Sequence, residues 1–348
     1  MSSIGARNKG YSGSDMLAIV KRVIFARINI SVRCKISKMA ENLRSSSLYS
    51  TSPFYQLFIT LVYIVVAGGA VFIALLMTGI YIFNPELEVL RDPLLSAGRN
   101  DVLFLRYLLI SQHISLFIIP GVILIFRFRY PGQNNLRILK KPDLDDTAIV
   151  TVLAFCLIPV TGITGELNSG MRLPELLSGV ENWMRGKENM AGRLFELIIS
   201  PEGKGSLAVN LVMIAILPAL GEELIFRGIF QRILTKIFSS GHTAIIVTAF
   251  FFSAIHFQFY GFLPRFILGL VYGYLLFWSG TLWLPVIAHF ANNAISVIIV
   301  YVQVADPALV RPEIPVMQKL ASLVVPVIAG SIILFYFSRK AASRQIAD

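Results

Sequence analysis

Eight long apolar stretches follow one another along this chain, with charged segments between most of them. They cover residues 54–83, 107–126, 146–164, 207–226, 243–257, 262–278, 282–302 and 320–337. A helix of about 18 or more apolar residues can cross a bilayer, and a chain that is 55% hydrophobic and 15% charged has more apolar surface than a soluble core can bury. The pattern predicts an all-α, polytopic membrane protein with about eight transmembrane helices. The fifth and sixth stretches are short and could form one broken element, which makes seven the alternative count.

Basic residues lie beside these stretches. Nine Lys or Arg residues precede residue 50, and others follow the second, fourth and eighth stretches, whereas the loops at 86–92 and 165–205 are mixed or acidic. Positive charge beside spans marks the cytoplasmic side and contacts anionic lipids. The net charge of +11 is therefore attributed to membrane lipids as partners, and nucleic-acid binding is not expected. Both termini are predicted to be cytoplasmic, at a prokaryotic inner (plasma) membrane.

Two segments outside the spans have open interpretations. Residues 1–50 are either a basic amphipathic helix on the inner leaflet or a disordered basic tail. Residues 165–205 carry enough Leu and Trp to form helices on the outer surface.

Polar side chains inside the apolar stretches are few, and such residues usually face the bundle interior or a water-filled cavity. Most lie in three segments: LPALGEELIFRGIF with Glu222, Glu223 and Arg227, FFSAIHF with His256, and IAHFANNAI with His289, Asn292 and Asn293. Asn292 is interpreted as a neighbour only, and Phe252 as a packing residue. His113 is interpreted as an ordinary packing or hydrogen-bonding residue, and His242 as a loop residue without a partner.

Helical spacing relates these polar residues to one another. Glu223 and Arg227 are four residues apart and can pair on one helix face. Glu222 is turned by about 100° from Glu223 and can point into a cavity. His289 and Asn293 are also four apart and share a face. These side chains can therefore converge from three helices.

The neighbourhood of Glu222 has one supporting feature and one difficulty. Pro218, four residues earlier, is expected to kink the helix and open its backbone where a cavity would be useful. However, Glu222 is predicted near the inner end of its stretch and His256 near the outer end of its own. Their convergence requires a tilted, shifted or longer fifth helix.

The chemistry suited to this set is hydrolysis, by one of two routes. A carboxylate in a water-filled cavity can act as general base while imidazole and amide groups stabilise an oxyanion. Alternatively, Glu222, His256 and His289 are a plausible zinc set, with Glu223 nearby. The residues leave both routes open, and they indicate no cofactor other than a possible zinc ion. Glu223 and Arg227 are interpreted as a structural ion pair that supports the site.

At these residues the chain resembles the CPBP family of intramembrane proteases (CAAX proteases and bacteriocin-processing enzymes, also called the Abi family). The family pattern EExxxR, FxxxH and HxxxN matches Glu222–Arg227, Phe252–His256 and His289–Asn293, in order, within about residues 205–303. The resemblance implies an eight-helix core with a site that opens toward the cytoplasm. It also implies that Glu222 activates water, that Glu223 and Arg227 support it, and that His256, His289 and Asn293 bind the oxyanion.

The charge and hydropathy pattern gives the predicted organisation of the first 200 residues, which the family pattern does not cover, and the resemblance gives the catalytic core and the function. Residues 1–50 form a basic cytoplasmic segment, residues 51–200 the first transmembrane helices and the outer loop, and residues 201–340 a catalytic core. The expected activity is cleavage of a membrane-associated peptide or protein, near the C-terminus if the substrate is CAAX-like. The main alternative is an inactive membrane scaffold or immunity-type protein of the same fold, and a proton-coupled transporter is a more distant one.

Within the sixth stretch, Gly269 and Gly273 predict close packing of a neighbouring helix.

Overall fold

The computed structural model describes residues 51–86, 99–128, 140–199, 205–306 and 315–347. The predicted amphipathic helix within residues 1–50 lies outside the described residues. In the described ranges the chain forms helices and turns, with no strand. The helices are α1 Pro53–Phe83, α2 Asn100–Arg127, α3 Leu144–Ser169, α4 Ser178–Ile199, α5 Ser206–Phe238, α6 Gly241–Ala254, α7 Phe262–Ser279, α8 Trp283–Ala305 and α9 Val316–Ala347.

Seven of these helices are long and apolar enough to cross a membrane: α1, α2, α3, α5, α7, α8 and α9. Large apolar side chains such as Phe54, Val65 and Val325 are exposed on their outer surfaces, as expected for contact with lipid. The prediction of an all-α, polytopic membrane protein is confirmed. Helix α6 is separate from α7 but has only 14 residues, which corresponds to about 21 Å of rise against a hydrocarbon core of about 30 Å.

Helix α5 is longer than the sequence predicted, because it continues from Phe226 to Phe238. The basic residues that follow the fourth apolar stretch, Arg227, Arg232 and Lys236, are predicted from the sequence to lie in a loop, and the structure places them in the helix instead. The additional turns are amphipathic: Ile233 and Leu234 are buried, and Lys236 Nζ donates to Gln56 Oε1 at 3.2 Å. Consequently Glu222 lies at the middle of a 33-residue helix and not near its inner end. This removes the difficulty in bringing it near His256.

The expected helix in the 165–205 segment is α4. Its first turns are fixed by Glu181, whose carboxylate accepts from the Leu173 backbone N–H at 2.8 Å and from Arg185 Nε at 2.8 Å. The backbone hydrogen bond, followed by those from Arg185 and Arg172, lowers the pKa of Glu181 to about 2. Helix α4 packs on the turn before α7 through Trp183 and Phe259, whose ring centroids are 5.3 Å apart.

Contacts at the helix termini define two ends of the bundle. At the first, α5 meets α1 (Lys236 with Gln56), the Thr281 hydroxyl donates to the Lys140 carbonyl, and Lys340 pairs with Asp146 at 2.6 Å. We call this the basic end. At the other, Lys319 pairs with Glu166 at 2.7 Å, and α4 lies against residues 259–261. We call this the α4 end.

The two glycines of α7 lie where α6 packs closest. A Cβ atom on Gly269 would lie 2.9 Å from the Ala249 Cβ, and one on Gly273 would lie 2.8 Å from Ile245 Cγ2. The predicted close approach is therefore confirmed. Both glycine carbonyls also accept hydrogen bonds from α5, from Arg227 and Gln231 respectively, so the small residues bring three helices together.

Candidate active site

A buried ion pair on α5 forms the inner wall of the site. Arg227 Nη1 donates to Glu223 Oε1 at 3.0 Å, and both side chains are 0% exposed. Arg227 Nη2 donates to the Gly269 carbonyl at 3.0 Å, and the guanidinium lies 4.5 Å from the centroid of the Phe252 ring. The helical spacing predicted this pair. Since removing one partner of a buried pair typically costs about 3–5 kcal/mol, Glu223 and Arg227 stabilise each other.

His289 of α8 is held by the same carboxylate. Its Nδ1 donates to Glu223 Oε1 at 2.9 Å, and its ring stacks on Tyr272 with centroids 5.1 Å apart. These contacts fix the ring orientation and turn Nε2 toward Glu222, whose Oε2 is 4.0 Å away. A carboxylate that orients an imidazole by its Nδ1–H leaves Nε2 for chemistry.

Glu222 lies on the adjacent face of α5 and lines a cavity of about 470 Å³. It is 5% exposed, and its Oε2 atom is buried without a hydrogen-bond partner. A buried carboxylate oxygen without a partner is costly, unless the cavity supplies water or a substrate. The side chains that line the cavity include Gln112, His113, Pro218, Glu222, His256, Gln258, Arg265, Tyr272, His289 and Asn293.

His256 lies in the turn just after α6 and not within a spanning helix. Its Nδ1 donates to the Phe252 carbonyl at 2.8 Å, and Phe252 packs between His256 and His289 as an edge-on ring. The next residue, Phe257, has a φ of 52°, a conformation that costs a bulky residue about 1–3 kcal/mol. This strained turn ends the helix and leaves His256 Nε2 for the cavity.

Asn293 of α8 reaches the cavity and the backbone of α5 together. Its Nδ2 donates to the Ile214 carbonyl at 3.0 Å. Ile214 is four residues before Pro218, which has no N–H to complete a helical hydrogen bond. The helix has a π-helical turn over Leu211–Ile216, directly before this proline. One N–H of Asn293 thus satisfies the opened backbone, and the second remains for the cavity.

The structure therefore brings Glu222, His256, His289 and Asn293 to one cavity, with Glu223 and Arg227 behind it. Asn292 is buried but does not line the cavity. His242, read from the sequence as an unpartnered loop residue, lies in the first turn of α6 with its Nδ1 3.1 Å from Tyr274 Oη.

The zinc alternative depends on where the structure places its three donor side chains. Among the described residues, no group of three or more His, Cys, Asp or Glu side chains is placed to hold a metal ion. In the proposed set, His289 uses Nδ1 on Glu223, and its Nε2 is 4.0 Å from Glu222. A carboxylate on Nδ1 also accompanies metal-binding imidazoles, so these contacts alone do not decide against zinc; as placed, however, the three side chains do not form a group that holds a metal ion.

Sequence reasoning missed several residues of the cavity, among them His113, Gln258 and Arg265. His113 was interpreted as an ordinary packing or hydrogen-bonding residue, but it lines the cavity and its Nδ1 has no partner. Arg265 and Gln258 also line the cavity. Arg265 could have been found, because it is the single charged residue in the stretch 262–278, and a lone charge in a span usually faces the interior.

The cavity extends from the middle of the bundle toward the α4 end. It is lined by Phe195 and Ile198 of α4, by α5 residues as far as Glu222 and by α7 residues as far as Tyr272. His289 and Asn293 line it from the half of α8 that begins at the basic end. The basic end is the one predicted to face the cytoplasm. That prediction and the implied opening of the site toward the cytoplasm therefore point in opposite directions.

Comparison with known proteins gives one match. Residues 204–295 match the family model for type II CAAX prenyl endopeptidases, Rce1-like. The matched segment begins two residues before α5, ends two residues after Asn293 and contains all three sequence motifs. Neither the curated proteins nor the solved structures gave a match.

Proposed function

Residues 204–295 belong to the CAAX protease (CPBP) family, and from this we propose that the chain is an intramembrane endopeptidase that uses a glutamate-activated water. The observation that carries the proposal is Glu222, a carboxylate with an unpartnered oxygen in a cavity among membrane-spanning helices. Burying a carboxylate oxygen without a hydrogen-bond partner costs free energy, and ionisable groups placed at such a cost within a membrane are typical of functional sites. Hydrolysis gives the group a task, because a water molecule in the cavity would donate to it.

Glu222 acts as the general base. It accepts a proton from water as the oxygen attacks the carbonyl carbon of the peptide bond, and then gives that proton to the departing amine. His289 Nε2, 4.0 Å from Glu222 Oε2, is close enough to hold the same water. The reaction needs no further reactant, since water adds across the broken C–N bond.

Three side chains are candidates to stabilise the oxyanion. Asn293 donates through its second N–H, and His289 and His256 donate through Nε2 when their rings are protonated, because each Nδ1–H is already used. Donors held in advance where charge develops lower the barrier without reorganisation. Glu223 and Arg227 support the site by holding His289 and α7 in position.

The proposed substrate is a membrane-associated protein or peptide, cut near its C-terminus if it is CAAX-like. The core at 201–340 would supply the motif residues, while residues 51–200 contribute α2 and α4 to the cavity wall. We propose a prokaryotic inner membrane location with both termini in the cytoplasm. Basic residues flank the spans at that end, and anionic lipids are the expected partners there.

The deciding experiment is cleavage of a peptide library by the purified full-length protein in liposomes. Glu222→Gln keeps the shape but removes the base, so we expect the cleavage rate to fall by about 10²- to 10⁴-fold. Glu175→Gln is the matched control, because Glu175 is exposed outside the cavity. His256→Ala and His289→Ala are also expected to lose cleavage.

Unchanged cleavage by Glu222→Gln would overturn the assignment of the base. If wild type cuts no library member while its deletion has a phenotype, the inactive scaffold explains the chain better. Proton or solute flux that depends on Glu222 would indicate the transporter instead.

A further inference from the structure

Arg265 is a cation of the cavity that the proposed reaction leaves without a task. It lies in the first turn of α7 and lines the same cavity as Glu222. Its Nη1 atom is buried and has no hydrogen-bond partner. Among the described residues, no carboxylate lies within 4.0 Å of its guanidinium, although Glu188 and Glu222 attract it from further away. A buried guanidinium donor without an acceptor is costly.

Two neighbours hold the guanidinium in this position. Arg265 Nη2 donates to Gln258 Oε1, which leaves the N–H groups of the Gln258 amide as donors. On the other side lies Gly261, against which Nη1 itself packs, so that an added Cβ there would collide first with Nη1. The guanidinium therefore occupies the space that the Cβ of any residue other than glycine at position 261 would need.

We propose that Arg265, with Gln258, binds the C-terminal carboxylate of the peptide substrate. A guanidinium matches a carboxylate in shape and charge, and such charge-assisted hydrogen bonds are the strong ones. The inference rests on the proposed endopeptidase function and specifies its substrate. Arg265 and Glu222 line the same cavity. The peptide bond that reaches Glu222 therefore lies close to the C-terminal carboxylate that Arg265 binds.

Binding tests the anchor separately from cleavage. The probe is a peptide library prepared in two forms, free acid and C-terminal amide, with affinity measured on the full-length Glu222→Gln protein in nanodiscs. We expect the free acids to bind about 10- to 100-fold more tightly than the amides. Arg265→Gln should reduce the affinity for the acids to that for the amides, and leave the amides unchanged.

Two further variants separate charge from geometry. Gly261→Ala keeps the positive charge but pushes the guanidinium aside, so we expect a partial loss of the preference for the acid. Gly192→Ala is its control, since an added Cβ there meets nothing within 4 Å. Arg193→Gln, on the exposed surface of α4, is the control for the loss of a positive charge.

Equal binding of acids and amides would overturn the proposal, as would a preference that survives Arg265→Gln. An amidated peptide with a C-terminal Glu that binds as tightly as the free acid would assign the subsite to side-chain carboxylates instead. The two proposals fail differently. If the protein binds free acids more tightly but cuts no peptide, the carboxylate-binding role of Arg265 stands and the endopeptidase function is overturned. If it cuts free acids and amides equally, the endopeptidase function stands and the carboxylate-binding role is overturned.

Discussion

Two imidazoles of the cavity, those of His289 and His256, each use Nδ1 to hold their position and keep Nε2 for the cavity. His289 Nδ1 is fixed by Glu223 at 2.9 Å, and His256 Nδ1 by the Phe252 carbonyl at 2.8 Å. The group that holds His289 is a charged carboxylate, whereas the group that holds His256 is a neutral carbonyl. Arg227 binds the same carboxylate, so the ion pair and the His289 imidazole form one unit.

Two substitutions of His289 separate its two nitrogens. In His289→Asn, the amide can still reach Glu223 in place of Nδ1 but nothing replaces Nε2. We expect kcat to fall by about 10²- to 10³-fold with little change in KM, as for a lost oxyanion donor. In His289→Gln, the longer side chain brings an amide toward the position of Nε2, and part of the activity should return. Steady-state cleavage by both proteins in liposomes gives the comparison. A loss that is equal in the two variants would show that Nε2 has no separate role.

The polar residues of the cavity were partly predictable for one physical reason. Ionisable residues within apolar stretches are rare because burying them in a bilayer costs free energy. That cost alone indicates a functional role for Glu222, Glu223, Arg227, His256 and His289. The spacing rules then gave the ion pair on α5. The same argument predicts that Arg265, the single charged residue of its apolar stretch, faces the interior of the bundle. Nothing in the letters around His113 distinguishes it from a packing histidine, because its place in the cavity depends on how α2 packs against α5.

Among the helices, α5 contributes most to the site, and its irregular geometry is the reason. It contains π-helical turns at Leu211–Ile216 and Phe226–Phe230, on either side of Glu222 and Glu223. Such turns are frequent at functional sites. Pro218 predicted an opened backbone, but Asn293 as the group that satisfies it could not be read from the sequence, since the contact joins residues 79 positions apart.

Helix boundaries were less predictable than helix identity. The end of α5 was placed at Phe226 because Arg227 and the polar residues after it resemble a loop. In the structure Arg227 is fully buried, and its charge is compensated by Glu223 from within the helix. A hydropathy pattern has no means of recognising a charge that is neutralised one turn away.

The contact of α6 with α7 gives a prediction that leaves the cavity residues unchanged. Gly269→Ala would place a Cβ 2.9 Å from that of Ala249 and move the carbonyl that Arg227 Nη2 binds. We expect a loss of about 1–3 kcal/mol in stability, as for overpacking, together with reduced cleavage. Gly162→Ala in α3, where an added Cβ meets nothing within 4 Å, should be neutral or slightly stabilising. Thermal unfolding in detergent measures both, and equal midpoints would mean that the packing tolerates the methyl group.

The arrangement of the complete bundle links charge to the position of the cavity. Helices α1 and α9 both have a terminus at the basic end, where Lys140, Lys236 and Lys340 lie. The α4 end carries Glu86, Glu166 and Glu181 beside its basic residues. Positive charge favours the cytoplasmic side. If that rule holds here, the cavity extends from the middle of the membrane toward its outer side, and a substrate reaches it from that side.

Cysteine labelling in intact cells tests this orientation. After replacement of Cys34 and Cys156 by Ser, single cysteines are introduced by Lys187→Cys on α4 and Ala342→Cys near the end of α9; both positions are exposed. We expect a membrane-impermeant maleimide to label the α4 position in intact cells and the α9 position only after permeabilisation. Since α4 and Arg265 line the cavity on the same side, the reverse pattern would turn that side of the cavity toward the cytoplasm. It would restore the implied opening toward the cytoplasm and show that the basic residues do not set the topology of this chain.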